Sequence, residues 1–306
     1  MDYMKAIESF VTAAKSGSFV DAARHQRVSR AIVSRRISEL EERLGVRLFH
    51  RTTRELSLTS AGQRYFIVCN RALTELDTEE ETLSNLQGEP RGLLRITTSR
   101  AIGARHITSA VIDFMAMYPD IRVEMELSSN ALAITQLTKY GFDVGISTAR
   151  SKQSQSVARK ISQFYSVLCA SPAYFEKNGI PRALKELHQH RCLVNQRHSP
   201  NGTWDFVGDG REVSLHISMV LSITSVWAIR EAALGGVGIA FLPTYSIEDD
   251  LREGRLKQIL PRYRSKKTNL YAVYPHFRMV PRRAQIFTEF LQKRFEKSLW
   301  TGPGRG

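Results

Sequence analysis

Apolar positions recur at helical spacing through the first ninety or so residues and then give way to alternation. Met4, Ile7, Val11 and Ala14 form a first stripe that closes at Ser16-Gly17, a pattern that predicts a helix. Ser18, with Asp21 three residues on, resembles a capping box and opens a second, short helix, whose Ala22-Ala23 surface lets two helices cross closely. Gln26 to Val28 reads as a tight connection, and Ser29 is a good N-cap for a third helix. Val33, Ile37, Leu40 and Leu44 recur along that helix at i, i+4, i+7 and i+11 as its apolar stripe. Its far side carries Ala31, Ser34, Arg35 and Ser38, with Arg30 and Arg36 along the margins. Helix, short turn and helix together predict a helix-turn-helix.

After Gly45 the period changes. Arg47 to Thr59 reads as two short strands, around LFHR and ELSL, joined by Thr52 to Arg54, which predicts a β wing carrying Arg51 and Arg54. Thr59 to Gln87 holds almost no helix breakers, and Phe66, Cys69, Leu73, Leu76 and Leu83 fit spacings of three and four. That stripe suits a seam between two copies of the helix, although a long helix packed on its own domain would show the same pattern. Gly88, Pro90 and Gly92 mark a hinge. Beyond it LLRITT predicts a strand, Ile107, Val111, Phe114 and Tyr118 a helix, and IRVEMEL a half-buried strand. Alternation continues through DVGIST, SVLCAS, CLVN, SMVLSIT, GIAFLP and LYAVYP, with helical stretches between most of them, so this part is α/β. TWDFVGDGREVSL reads as an inserted hairpin turning at Gly208 to Gly210.

Charge changes the picture locally more than globally. The 306 residues carry a formal net charge of +14, which favours an anionic partner such as nucleic acid. Residues 1–88 nevertheless hold 13 Lys and Arg against 12 Asp and Glu, while residues 250–306 hold 14 against 4. Within the N-terminal segment positive charge is concentrated, with nine arginines between Arg24 and Arg54. Neither a signal-peptide pattern nor an uncharged apolar run of membrane-spanning length is present, so a cytoplasmic protein without membrane contact is expected. Cys69, Cys169 and Cys192 are odd in number and widely spaced; reduced thiols are expected, with a Cys169 to Cys192 redox pair as the alternative.

Two surfaces are candidates for chemistry. Small polar residues flanked by arginines suit a helix entering a DNA major groove, since short side chains allow close approach while arginines reach guanine edges and phosphates. The candidate DNA-binding set is therefore Ser29, Arg30, Ala31, Ser34, Arg35, Arg36 and Ser38, joined by Arg51 and Arg54 of the wing. In the C-terminal half, four strands end in adjacent hydroxyl residues: Thr98-Ser99, Ser128-Ser129, Ser147-Thr148 and Thr224-Ser225. Ligands of open α/β sheets bind beyond the carboxyl ends of the strands, where hydroxyls and helix amides suit a carboxylate or other small anion. Each pair alone reads as an ordinary N-cap; four together favour a cleft. His188-x-His190-x-Cys192 reads as structural and not as a metal site, and no metal or cofactor is expected. Gly145-x-Ser147-x-Ala149 only loosely resembles a nucleophile elbow, and spacing fixes no partner acid or histidine, so an enzyme is not expected.

The segment GSFVDAARHQRVSRAIVSRRISELEERLGVRLFHRTTRELSLTSAG resembles the DNA-binding signature of the LysR-type transcriptional regulators nearly throughout. FMAMYPDIRVEMEL, HQHRCLV, IREAALGGVGIAFLP and LREGRLKQILP resemble the effector-binding part of that family, so the likeness covers most of the chain. It departs from the pattern at Gln26, where leucine is usual, at Arg30 and Arg36, where glutamines are common, at Glu55, where the wing often has glycine, and at Ser147, where arginine is frequent. The resemblance implies an N-terminal winged helix-turn-helix over residues 1–59, a linker and dimerisation helix over 60–88, and a periplasmic-binding-protein-like effector domain over 89–306. Within that domain, subdomain 1 would take about 89–162 and 268–306 and subdomain 2 about 163–267, with chain crossings near Ile161 to Gln163 and Ser265 to Thr268. Arg100, Asn195 and Gln196 would add polar contacts to an effector, and Ile146, Trp227 and Phe241 an apolar wall. The partners implied are a palindromic promoter site in double-stranded DNA, a small-molecule effector, and further copies of the chain as a homodimer or homotetramer. An enzyme with an accessory DNA-binding domain, or an architectural DNA binder, are the alternatives.

Overall fold

In the computed structural model the described residues are 2–51, 56–85, 90–128, 137, 140–148, 157–208, 210–275 and 280–296, with the side chains of 51 and 78–85 outside the description. Three helices lead: α1 (Tyr3–Ser16), α2 (Phe19–Gln26) and α3 (Arg30–Leu44). Local chemistry sets their ends. Asp2, Ser18 and Ser29 accept hydrogen bonds from the third backbone N–H beyond them, and Gly17 and Gly45 close α1 and α3 in the left-handed region. The turn between α2 and α3 runs from Arg27 to Ser29, one residue later than the spacing predicts, because Gln26 completes α2. Arg27 caps α2 at φ 53°, a conformation that disfavours residues other than glycine. A common core of Phe10, Ala22, Ala23, Val33, Ile37 and Leu40 joins the three helices.

Strands β1 (Phe49–Arg51) and β2 (Leu56–Leu58) pair antiparallel as the wing. The long helix α4 (Ser60–Asn85) leaves from β2. Its start is crowded: a Cβ at Gly62 would fall 2.0 Å from the Leu48 carbonyl oxygen, so only glycine allows this approach. The predicted seam on α4 divides. Phe66 and Cys69 are buried in the core of their own helix-turn-helix, with Leu73 packed against it, whereas Leu76 is 47% exposed. The first three therefore serve the domain's own core, because α4 packs across α1; the Leu83 side chain lies outside the described residues.

Two sheets build the rest. Among the described residues, β3 (Gly92–Ser99), β4 (Ile121–Ser128), β5 (Val144–Ser147), β6 (Ala158–Phe164) and β14 (Thr268–Val273) form one sheet in the order β4-β3-β5-β14-β6. A second sheet, in the order β10-β9-β13-β7-β12-β8-β11, takes β7 (Ser166–Ala170), β8 (Cys192–Asn195), β9 (Thr203–Gly208), β10 (Arg211–His216), β11 (Met219–Ile223), β12 (Ile239–Pro243) and β13 (Lys257–Arg264). The chain passes from the first sheet to the second at Tyr165, not at Ile161 to Gln163, since those residues still pair with β14 and Ile161 is buried in the first core. It returns at Ser265–Lys267, as expected. The two crossings are tied together: Ser166 N donates to Ser265 Oγ at 2.8 Å, and Ser265 N donates to the Ser166 carbonyl at 3.0 Å.

Helices cover both sheets. On the first sheet lie α5 (Arg100–Ile102), a π-helical turn at Gly103–Ile107, α6 (Thr108–Met117) and, after β14, the helix Arg282–Glu296. On the second lie α7 (Pro172–Asn178), α8 (Val226–Leu234) and α9 (Thr244–Arg252); the helix at 282–296 is α10. The predicted hairpin is present as β9 and β10. Cys169 and Cys192 align with Ala240 and Ile239 on opposite edges of the intervening β12, so they stand two strand spacings apart, about 9–10 Å. That is beyond disulfide reach, which removes the redox pair. All three cysteines are buried as free thiols.

Candidate functional site

The recognition surface is built on α3. Ser29, Arg30, Ala31 and Arg35 are exposed, and Ser34, Arg36 and Ser38 are half-buried. Arg35 approaches Glu39 one turn on at 3.5 Å and keeps most of its side chain in solvent. Arg36 differs: its Nη1 donates to Ser9 Oγ and to Gln26 Oε1, each at 3.3 Å, so its guanidinium turns toward α1 and α2. In the wing, Arg51 pairs with Leu56 across the hairpin, its side chain outside the description, and Arg54 lies outside the described residues.

One residue that fastens this surface is not among the candidates read from the sequence. Glu41 of α3 is 3% exposed; its Oε1 accepts from Leu48 N at 2.8 Å and Phe49 N at 3.2 Å, and its Oε2 from Arg47 Nη1 at 2.9 Å. The recognition helix thereby holds the first strand of the wing. A carboxylate inside the apolar stripe of α3 was the available signal.

The carboxyl ends of the strands bring hydroxyl groups together as the sequence suggests. Ser99 and Ser128 are register partners on β3 and β4, and Thr98 lies opposite Ile146 of β5, which sets Ser147 level with Ser99. Ser147 is buried and Thr148 exposed at the end of β5, while Ser129 lies outside the described residues. Ser99 occupies the N-cap position of α5 without a side-chain capping bond. The hydroxyls of Thr98 and Thr97 are buried and have no hydrogen-bond partner among the described residues; Thr98 shares a face with Leu127 and Ile146 under the covering helices, opposite to the face of Ser99. Arg100 is exposed beside them.

A second group gathers on the other sheet. Asn195 and Ile223 are register partners on β8 and β11, and Gln196 N donates to the Ile223 carbonyl, which puts Asn195 and Gln196 beside Thr224 and Ser225. Ser225 caps α8 by accepting from Ala228 N. Asn195 Oδ1 accepts from Arg197 N.

Contacts between the α5 region and α8 and α9 close the gap. Trp227 Nε1 donates to the Ala101 carbonyl at 3.0 Å, His106 Nε2 lies 2.8 Å from the Tyr245 carbonyl, and Arg105 pairs with Asp249 and sits 5.7 Å over the Trp227 ring. Burial holds the His106 ring below the ordinary histidine pKa, against the bond to Tyr245. Trp227 is thus a clasp between subdomains. Two expected wall residues are elsewhere: Ile146 is inside the core of the first sheet, since β5 turns it onto the covering helices, and Phe241 packs in an aromatic cluster with Trp204 and Phe206.

His190 Nδ1 lies 3.1 Å from the Tyr174 hydroxyl, which also accepts from Arg191 N, and Cys192 is buried. The HQHRCLV segment is structural at these positions, and among the described residues no group of three histidine, cysteine or acidic side chains could hold a metal. No helix of the described residues is long and apolar enough to cross a membrane.

Residues 4–63 match the family model described as bacterial regulatory helix-turn-helix protein, lysR family, and residues 87–296 match the LysR substrate binding domain. An HTH-type transcriptional regulator of Haemophilus influenzae is 31% identical over 281 residues, 92% of this chain and 96% of its own. The HTH-type transcriptional regulator PtxR of Pseudomonas aeruginosa is 31% identical over 287 residues, 93% of this chain and 90% of its own. The solved structure of CrgA, a LysR-type transcriptional regulator from Neisseria meningitidis, superposes with a TM-score of 0.61 at 29% identity, covering 95% of this chain and 98% of that one.

Proposed function

Since the chain belongs to the LysR family, a family of transcriptional regulators and not of enzymes, we propose that it binds a palindromic promoter site as a dimer and answers to a small anionic effector, with a carboxylate the favoured class. The α3 face, with Arg30 and Arg35 exposed beside Ala31 and Ser34, supports base reading in the major groove, and the wing supports backbone contact. The observation that carries the effector reading is the line-up of Ser99, Ser128 and Ser147 at the carboxyl ends of three adjacent strands, with the Ser99 hydroxyl making no capping bond. The strand ends that meet there carry hydroxyl residues and no acidic residue, a composition that suits a carboxylate.

Coupling follows from position. A ligand that binds one spacing of the subdomains more tightly than another shifts that equilibrium by its differential affinity alone. The exposed apolar residues Val68 and Leu76 of α4, eight residues apart and so about 80° from one another round the helix, are the face offered to a second copy, in place of Phe66 and Cys69. Two copies joined there would present their α3 helices about one DNA turn apart, roughly 34 Å.

Duplexes selected from a random library by the full-length protein test the DNA half: enrichment of an inverted repeat is expected, and sequence-independent recovery would contradict it. Thermal melting with a panel of small carboxylates tests the cleft, since a ligand bound only to the folded chain raises Tm. No shift with any carboxylate at millimolar concentration would contradict the effector class.

A further inference from the structure

Where α1, α2 and α3 cross, buried Ser9 and half-buried Gln26 and Arg36 answer one another at the margin of an apolar core. Ser9 of α1 is fully buried and donates from Oγ to Gln26 Oε1 at 2.8 Å. Gln26, the last residue of α2, donates from Nε2 to Thr12 Oγ1 at 3.5 Å. Arg36 of α3 donates from Nη1 to both Ser9 Oγ and Gln26 Oε1 at 3.3 Å. Each helix contributes one member. The Ser9 hydroxyl hydrogen is engaged with Gln26 Oε1, so the lone pairs of its oxygen take a donor from outside the pair, which an apolar side chain at position 36 could not supply.

We infer that Ser9, Gln26 and Arg36 form a polar clamp that fixes the pose of the recognition helix on α1 and α2, and that Arg36 is a positioning residue and not a base reader. The chemistry explains why the clamp matters for recognition. Apolar packing of Val33 and Ile37 on α1 and α2 tolerates small rotations of α3, whereas hydrogen bonds weaken steeply with angle and so define one rotation. Reading of bases falls to the residues of α3 that point away from the clamp, Arg30, Ser34 and Arg35. The inference rests on the DNA-binding reading but makes a claim that can be tested separately.

A double-mutant cycle on the full-length protein does so, with Gln26→Ala, Arg36→Ala and the pair, read as affinity for a duplex selected by the wild type and as Tm. A clamp gives coupled losses: about tenfold in affinity for each single variant and no more than about tenfold for the pair. The slope of log affinity against log salt stays unchanged in Arg36→Ala, and Gln26→Glu, which keeps the acceptor, retains the wild-type affinity. Independent losses that multiply to about a hundredfold, with the salt slope falling by about one in Arg36→Ala, would overturn the inference and return Arg36 to the DNA contacts. If the wild type selects no duplex, the DNA-binding reading fails, while the coupling in Tm still decides the clamp: coupled shifts support it and additive shifts overturn it.

Discussion

Glu41 and Leu48 meet at 2.8 Å, the buried carboxylate of the recognition helix accepting the backbone N–H that precedes the wing. The same oxygen also accepts from Phe49 N, so two backbone donors are satisfied by one charged side chain in a dry interior. Glu41→Ala leaves both donors without a partner and is expected to destabilise the N-terminal domain by about 2–4 kcal/mol. Arg47→Ala removes only the partner on the solvent side, whose side chain is 70% exposed, and is expected to cost less than about 1 kcal/mol. Denaturant unfolding of the two variants checks the ordering; equal losses would show that the backbone bonds contribute nothing.

Arg27 holds α2 to the turn at φ 53°. Glycine relieves the side-chain crowding but gains freedom in the unfolded chain, so Arg27→Gly is expected to stabilise the domain by a modest amount, about 0.5 kcal/mol. A lower denaturation midpoint in that variant would mean that the arginine side chain contributes contacts of its own.

Arg35 and Arg54 should separate specific from general binding. Arg35→Ala is expected to cost about 1–3 kcal/mol on the selected duplex and little on random DNA, while Arg54→Ala weakens both and lowers the salt slope by about one. Titrations at several salt concentrations distinguish them; identical behaviour of the two variants would sink the division between base reading and backbone contact.

Thr98 and Ser99 should separate stability from ligand response. Thr98→Val removes a buried hydroxyl that has no partner among the described residues, so the unliganded chain is expected to melt at the same temperature or slightly higher. The Tm increase given by a carboxylate should shrink in Ser99→Ala and persist in Thr98→Val, whose side chain faces the covering helices with Ile146, with affinity for the selected duplex intact. A full ligand response in Ser99→Ala would place the pocket elsewhere.

Acid should loosen the clasp. Burial depresses the pKa of His106 in the folded chain, so its contribution is present above the ordinary histidine pKa of about 6.5 and is lost as pH falls from there through the depressed folded value. Tm is expected to decline over that range in the wild type, and less steeply in His106→Gln. Parallel declines would remove His106 as the cause.

Much of the architecture was legible because burial imposes periodicity. The three leading helices announced themselves through their stripes and their serine and glycine ends, and β3, β4 and β5 through alternation. Two strands are hidden for physical reasons. β6 (ARKISQF) is an edge strand with exposed Arg and Lys positions, and β13 contains Leu260 at φ 46° followed by Pro261, where its pairing with β7 shifts register. The line-up of Ser99, Ser128 and Ser147 was legible because strand ends are marked by where alternation stops. Which apolar residues line a cleft was not, since Ile146 and Trp227 look alike in a pattern and differ only in tertiary placement. The stripe on α4 misled similarly: a helix that packs on its own domain shows the same period as one that pairs with a second copy.

Footprinting on the selected inverted repeat, with and without the carboxylate that raises Tm most, tests the central claim most directly. The expected result is protection of both half-sites whose extent or bend-sensitive cleavage pattern changes with the ligand in the wild type and not in Ser99→Ala. Protection that is identical with and without every carboxylate that binds would contradict a regulator whose cleft is coupled to its DNA-binding helices.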